Sequence, residues 1–337
     1  MPVISTLRIN MTGAGGDPQE ASHRYQQALD MAAYADSNGF DVIGLEEHHC
    51  ANNGWLPSPL VMAGMVIART KRVHVNITAL LVTLYDPVSL AEDIAVLDLA
   101  SGGRLNFVAG LGYRPIEYHA LDKSWEDRGA RFDETLEILL QAWTGEPFEY
   151  KGKTIRVTPI PLSKPHPPIF IGGMSKPAAR RAARFGLPLF PPMPMPELEA
   201  YYYEQLEKEG KQGVVLSAGT DLEQANAMLF IDPDPERAWE ELAPYFLHEL
   251  REYASWKVEG VRRPQEADVQ TVADLKAQKR FEILTPAQCL ERFRRSGNYS
   301  AVLHPLAGGV PVERAWDCLR LYAEEVLTPL ASQSVES

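Results

Sequence analysis

The chain is poor in cysteine and has no long apolar run, and both absences narrow its class. Three cysteines, Cys50, Cys289 and Cys318, are scattered through 337 residues. An odd and widely spaced set builds no disulfide framework, so a reducing cytoplasm is the expected setting. No stretch approaches the ~18 uninterrupted apolar residues of a membrane-spanning helix, so no membrane partner is expected. The opening "MPVISTLRIN" lacks the basic-then-apolar pattern of a secretory signal. Positive charge is short too: 33 Lys and Arg stand against 45 Asp and Glu, a formal net charge of −12. That balance carries no electrostatic footprint of nucleic-acid binding. Low-complexity tracts and short internal repeats are missing. So is a G-x-G-x-x-G after a strand, the fingerprint of an open dinucleotide-binding sheet.

What is present is an alternation of strand-like and helical patterns. The strand-like runs are "VISTLRIN" (3–10), "FDVIGL" (40–45), "VHVNITALLV" (73–82), "RLNFVAGL" (104–111), "PIFIGG" (168–173), "LPLF" (187–190), "AMLFI" (227–231) and "YSAVLHPL" (299–306). A helix pattern follows each. Asp17, Pro18 and Glu20 form a helix start signal, and Thr285 with Gln288 forms a capping box. Phe132, Leu136, Leu139, Leu140 and Trp143 share one helical face; Ala315, Cys318, Leu319, Tyr322 and Val326 share another. Two stretches break the rhythm. Residues 145–167 read as a small hairpin and a proline-rich connector, and residues 257–283 as an irregular, charged insertion or lid-like loop. Eight strand–helix units with short connections predict a single (β/α)8 TIM barrel over residues 1–330, with a flexible tail at 331–337.

Such a barrel builds its active site in the loops after the strands. That rule selects residues 10–12, 46–53, 78–84, 110–114, 172–175, 190–193 and 304–309. Most are glycine, small, amide or apolar, which suits a flat apolar ligand better than paired-carboxylate hydrolysis. The loop "GLEEHHCANNGW" (44–55) admits three readings: a metal cluster, a catalytic histidine, or a polar turn. Metal is disfavoured, because adjacent residues of an extended chain point opposite ways and zinc needs three or four convergent ligands. One histidine of the pair is expected to face the pocket and the other to bond outward.

In "FIGGMSKPAARRAARFG" (170–186), Gly172 and Gly173 let backbone approach a ligand, and Ser175 stands at a helix start that favours an anion. An ordinary capped strand–helix turn explains the same pattern. In "FVAGLGYRP" (107–115), Arg114 either neutralises an anion or pairs with Glu117 on the surface.

"EEHH", "ITALLV", "DPVSLAEDIAVLD" and "SGGRLNFVAGLG", followed by "DRGARFDETLEILLQAWTG" and "GGMSKPAARRAARFG", occur in a characteristic order and spacing. By these motifs the chain resembles the bacterial luciferase-like, flavin-dependent monooxygenase family. The resemblance implies a dimeric barrel holding FMN, or else a deazaflavin coenzyme, at its C-terminal mouth. His48 matches the family's pocket histidine and is the expected catalytic residue. A non-proline cis peptide against the flavin ring is expected at Ala79-Leu80. Gly110 and Gly112 match the loop beside the flavin, and Gly172, Gly173, Met174 and Ser175 its phosphate end. Asn52 and Trp55 are expected to wall the substrate pocket. No metal is implied. Leu111 stands where luciferase carries an arginine, so Arg114 is the arginine left in that loop.

The activity implied is monooxygenation of a small organic substrate with reduced FMN, supplied by a separate NAD(P)H-flavin reductase, and dioxygen. A deazaflavin-dependent hydride-transfer enzyme is the alternative, and a non-catalytic flavin-binding protein a third.

Overall fold

The helices begin where local chemistry can satisfy their first amides. Asp17 accepts from the Glu20 amide, Asp86 from those of Val88 and Ser89, Ser175 from Ala178 and Asp234 from Arg237. A proline follows each cap within the first two positions, where no amide is lost to the ladder. The computed structural model describes residues 3–217, 227–258, 269–296 and 299–333. Its elements run β1 (Val3–Ile9), α1 (Pro18–Ser37), β2 (Val42–Leu45), α2 (Pro59–Arg69), β3 (His74–Leu80), α3 (Pro87–Ser101) and β4 (Leu105–Ala109). Next come α4 (Pro115–Ala120), α5 (Arg128–Ala142), the hairpin strands β5 (Phe148–Tyr150) and β6 (Lys153–Ile155), β7 (Ile169–Gly172), α6 (Lys176–Phe185), β8 (Leu189–Phe190) and α7 (Pro196–Glu209). The chain then forms β9 (Met228–Ile231), α8 (Pro235–Ser255), α9 (Val272–Ala277), β10 (Phe281–Leu284), α10 (Pro286–Ser296), β11 (Tyr299–Leu303), α11 (Val312–Tyr322) and α12 (Thr328–Gln333).

Nine strands make one parallel sheet in the order β10-β9-β11-β1-β2-β3-β4-β7-β8, with helices between them. This is the α/β alternation of the barrel class. Among the described residues no pairing joins the end strands β8 and β10. The β5–β6 hairpin stands apart, antiparallel, inside residues 145–167 as expected.

Residues 257–283 correct the sequence expectation. Residues 259–268 lie outside the described residues, but the stretch from Thr271 onward is ordered secondary structure. Thr271 and Asp274 form a capping box that opens α9, and β10 pairs in parallel with β9. The signal is weak because "FEIL" is four residues long and α9 six, too short for periodicity to show among charged neighbours. At the other end α12 continues to Gln333, into the stretch 331–337 expected as a tail, and residues 334–337 lie outside the described residues.

Alternation along the strands sorts the side chains. Leu7, Ile9, Ile43, Leu45, Val75, Ile77, Phe107, Ile169 and Ile171 are buried beneath the helices. The opposite face carries Arg8, Gly44, Asn76, Thr78, Asn106, Val108, Phe170 and Gly172. The pairings Arg8 to Gly44, Gly44 to Asn76, Thr78 to Val108 and Val108 to Phe170 put them side by side. That face holds most of the polar side chains, and its C-terminal rim is the candidate site.

Candidate active site

After β2 the chain turns back on itself. The His48 amide bonds the Leu56 carbonyl (3.1 Å), and the Leu56 amide bonds the Asn10 carbonyl (2.8 Å). This fold-back buries His48 and Trp55, while Cys50 and Asn52 stay at the exposed tip. His48 Nδ1 lies 2.9 Å from Glu117 Oε1, and its Nε2 lies 3.1 Å from the Tyr113 hydroxyl. The same Glu117 oxygen accepts from the His49 amide and from Arg114 Nη1, each at 3.1 Å. Arg114 therefore pairs with Glu117 as one sequence reading had it, but both are buried rather than on the surface. Four aromatic rings surround the imidazole, at 4.6 Å (Trp256), 5.1 Å (Trp55), 5.4 Å (Tyr113) and 6.0 Å (Tyr253) between centroids. The Arg114 guanidinium lies 3.9 Å over the Trp256 ring and holds it in place. Burial raises the Tyr113 phenol well above its usual range, and a hydrogen bond to Tyr253 and the charge of Glu117 add to the rise.

His49 takes a different carboxylate. Its Nε2 lies 2.9 Å from Glu47 Oε1, which also accepts from the Tyr85 hydroxyl (2.6 Å), while Glu47 Oε2 accepts from the Leu81 amide (2.6 Å). Burial first, and the Glu47 charge next, push the Tyr85 phenol up. The two histidines thus diverge. Among the described residues no group of three or more His, Cys, Asp or Glu side chains is disposed to hold a metal ion.

A second polar cluster ties α8 to β1 and β11. His304 Nε2 lies 2.9 Å from Glu249 Oε2, which also accepts from Thr12 Oγ1 (2.6 Å) and the Gly308 amide (3.2 Å). Arg8 pairs with Glu46 at 2.7 Å and lies 3.9 Å from Glu249. Burial alone would raise the Glu249 carboxyl. The charge and hydrogen bond of His304, with Arg8 and Thr12, outweigh it and hold that carboxyl well below the ordinary range.

Across the mouth, β3, β4 and β7 present a different surface. The non-proline cis peptide falls at Thr78-Ala79, one residue before the Ala79-Leu80 position expected from the sequence. The β3–β4 register shifts at the same place, between Thr78 and Leu80. Gly110 donates to the Leu80 carbonyl at 2.8 Å, and a Cβ there would lie 2.8 Å from the Ala79 Cβ. A Cβ on Gly172 would lie 2.8 Å from Val108 Cγ1. Next to this strip the buried Asn76 Oδ1 and Thr78 Oγ1 have no hydrogen-bond partner among the described residues. Gly173, Met174 and Ser175 continue from β7 to the start of α6, where Ser175 Oγ caps the Ala178 amide at 3.4 Å. Arg181 and Arg184 pair outward with Asp133 and Glu137 and take no part.

The structure therefore brings His48 and Trp55 together in one aromatic cluster. It gathers Ala79, Leu80, Gly110 and Gly172 on one strip, with Gly112 in the loop beyond β4 and Gly173 to Ser175 after β7. Asn52 stands apart on the exposed tip, its amide bonded to Glu252 (3.2 Å). Sequence reasoning missed Glu249, Tyr253 and Trp256, and named Glu117 only as a surface partner of Arg114. All four come from α4, α8 or the end of α8 rather than from a loop after a strand. The mouth is consequently more charged than those loops imply.

A family model described as luciferase-like monooxygenase matches residues 7–301. The chain is similar to the FMNH2-dependent dimethylsulfone monooxygenase of Pseudomonas putida, 32% identical over 164 residues, 46% of this chain and 45% of that protein. It is also similar to the oxygenase component of the flavin-dependent trigonelline monooxygenase of Acinetobacter baylyi, 26% identical over 162 residues, 46% of this chain and 45% of that protein. The aligned stretch of the chain spans about half the length of the curated relatives it matches. Among solved structures, monooxygenase RslO1 from Streptomyces bottropensis superposes with a TM-score of 0.73 at 24% identity, covering 96% of this chain and 99% of that one. An F420-dependent secondary alcohol dehydrogenase superposes at 0.65 and 16%, covering 97% and 98%. At these identities the likeness shows the fold alone. The family match, which extends from β1 to β11, makes this chain a member of the luciferase-like monooxygenase family.

Proposed function

We propose that the chain is the oxygenase of a two-component system, an FMN-dependent monooxygenase acting on a small organic substrate. A separate NAD(P)H-flavin reductase would supply the reduced flavin. The observation that carries this reading is the β3–β4–β7 strip. Close-packed glycines leave its surface flat, and two buried oxygens, Asn76 Oδ1 and Thr78 Oγ1, lack partners among the described residues. Buried polar atoms are rarely left unpaired, so such a strip is fitted to a planar ligand with hydrogen-bond donors, as a flavin ring is. Ala79, Leu80, Gly110, Gly112 and Gly172 would flank the ring. Gly173, Met174 and Ser175 would hold the phosphate at the start of α6, whose first amides have no acceptor in the helix.

Bound reduced flavin supplies the electrons with which dioxygen gives one oxygen atom to the substrate and the other to water. The chain's own residues orient, shield and manage protons. Trp55, Trp256, Tyr113 and Tyr253 close around His48 and exclude water from it. His48, held by Glu117, is the group through which a proton is exchanged. Trp55 Nε1 is buried without a partner among the described residues and offers a donor to a substrate oxygen. Titration with oxidised FMN, reduced FMN and F420, followed by oxygen uptake with a flavin reductase present, tests the reading. Preferential binding of reduced FMN is expected. Binding of F420 with no binding of FMN would favour the deazaflavin hydride-transfer reading that the alcohol dehydrogenase fold allows. Flavin binding with oxygen chemistry indifferent to His48→Ala would favour a non-catalytic flavoprotein.

The chain is further proposed to pair with a second copy. Val61 and Met65 on α2 and Val96 and Leu99 on α3 are exposed, Val61 by 64% and Val96 by 52%, on two helices packed side by side. A partner copy covering that apolar face satisfies it. Light scattering on the native chain and on Val61→Glu/Val96→Glu checks this, with a dimer and a monomer expected. No helix among the described residues is long and apolar enough to cross a membrane. The three cysteines are free thiols, which supports a cytoplasmic setting.

A further inference from the structure

We propose that Glu117, His48 and Tyr113 form a base relay in which the Tyr113 hydroxyl, not the His48 ring, touches the substrate, and that the substrate is an aromatic hydroxyl compound. The proposal rests on the oxygenase reading of the same pocket.

Both nitrogens of His48 are occupied within the protein, Nδ1 by Glu117 at 2.9 Å and Nε2 by Tyr113 at 3.1 Å. Trp55, Trp256 and Tyr253 cover the rest of the ring, leaving the side chain 9% exposed. The imidazole therefore has no nitrogen to offer a substrate directly. Tyr113, by contrast, is half-buried, and its hydroxyl, which bonds Tyr253 as well as His48, keeps a second lone pair for a substrate hydroxyl when it donates to Nε2 and accepts from Tyr253. Direction along the hydrogen-bonded chain is set by chemistry. Glu117 Oε1 already accepts from the His49 amide and from Arg114 Nη1, and a carboxylate paired with that guanidinium has only lone pairs to offer His48, which assigns the imidazole proton to Nδ1. Nε2 then presents its lone pair and accepts from the Tyr113 hydroxyl. A carboxylate that fixes a histidine tautomer, with a hydroxyl on the far nitrogen, is the logic of hydrolase triads. Here the hydroxyl is a phenol.

The step is a double proton transfer. The substrate's O–H bond breaks and its proton bonds to the Tyr113 oxygen, while the proton Tyr113 held moves to His48 Nε2. The substrate is left as an oxyanion, and the imidazolium formed is paired with Glu117. No electron changes hands, and the product recovers its proton by the reverse path. Burial keeps both Tyr113 and Tyr253 protonated at rest, so Tyr113 acts as a conduit rather than a standing phenolate. The aromatic rings of Trp55 and Trp256 at the same pocket match a flat aromatic substrate body. Ionising a phenol makes its ring more electron-rich, which favours transfer of an electrophilic oxygen to a ring carbon.

Two measurements on the flavin-free full-length chain test the relay. In histidine nitrogen NMR, with His48→Asn used for assignment, His48 is expected as the Nδ1-protonated tautomer. Glu117→Gln should mix the tautomers and Glu117→Asp should restore the native one. With 4-nitrophenol as the probe, the native chain is expected to raise the phenolate absorbance. Tyr113→Phe and Glu117→Gln should cut that rise about tenfold or more while retaining the native circular dichroism. A His48 proton on Nε2, no ionisation of the probe by the native chain, or native-like ionisation by Tyr113→Phe would each overturn the proposal. An FMN titration of the same samples keeps the two readings apart, since a chain that ionises the probe yet binds no flavin refutes only the oxygenase assignment.

Discussion

On the β1–β11 side of the mouth, the buried Glu249 carboxylate is met by His304, Thr12, Gly308 and Arg8. On the β3–β7 side, Asn76 Oδ1 and Thr78 Oγ1 are just as buried and accept nothing among the described residues. One side ties its carboxylate to the protein itself, though Arg8 Nε and Asn10 Nδ2 there also lack partners among the described residues, and the other leaves two acceptor oxygens open. The difference separates a clip from a cradle. The first should answer to mutation with stability, the second with ligand affinity.

The largest test is Glu249→Ala, which leaves His304 and Arg8 without their shared partner. A loss of about 3–5 kcal/mol is expected in urea denaturation, with FMN affinity of the folded fraction unchanged. A fall in affinity with intact stability would erase the distinction. Second comes acid sensitivity. The folded Glu249 carboxyl titrates below its unfolded value of roughly 4.3, so its stabilisation is complete above that pH. It is lost as pH falls through the unfolded and then the folded value. The native chain's melting temperature should therefore drop more steeply below about pH 4 than that of Glu249→Gln.

On the cradle side, Gly172→Ala places a methyl 2.8 Å from Val108 Cγ1. It should cost about 1–3 kcal/mol of stability and weaken FMN binding tenfold or more, read by flavin fluorescence. Thr78→Val is the mildest and most discriminating change. Removing an unpartnered hydroxyl should leave stability level or slightly higher. It should weaken FMN binding by about 0.5–1.5 kcal/mol, the net worth of one hydrogen bond.

Clip and cradle were unequally legible. The strands and caps of both read well, because apolar alternation and Asp–Pro or Thr–x–x–Gln starts are local signals. His48 and the 172–175 turn stood out because a strand led into each. Glu117, Glu249, Tyr253 and Trp256 did not, since an inward polar residue on a helix looks in sequence like one on a solvated face. Register slips also escape a pattern reading, and the cis bond at Thr78-Ala79 sits beside one. The strand β10 was hidden by its brevity and by Glu282, which pairs with Arg292.

The strand order β10-β9-β11 has a consequence for synthesis on the ribosome. Both neighbours of β9 are made after it, as is one of the two neighbours of β1. A nascent chain that has reached only residue 280 thus displays β9 with two bare edges and β1 with one, the templates on which chains stick to each other. Strands β10 and β11 act as the chain's own edge guard, and a premature stop before them leaves an aggregating product rather than a shortened enzyme.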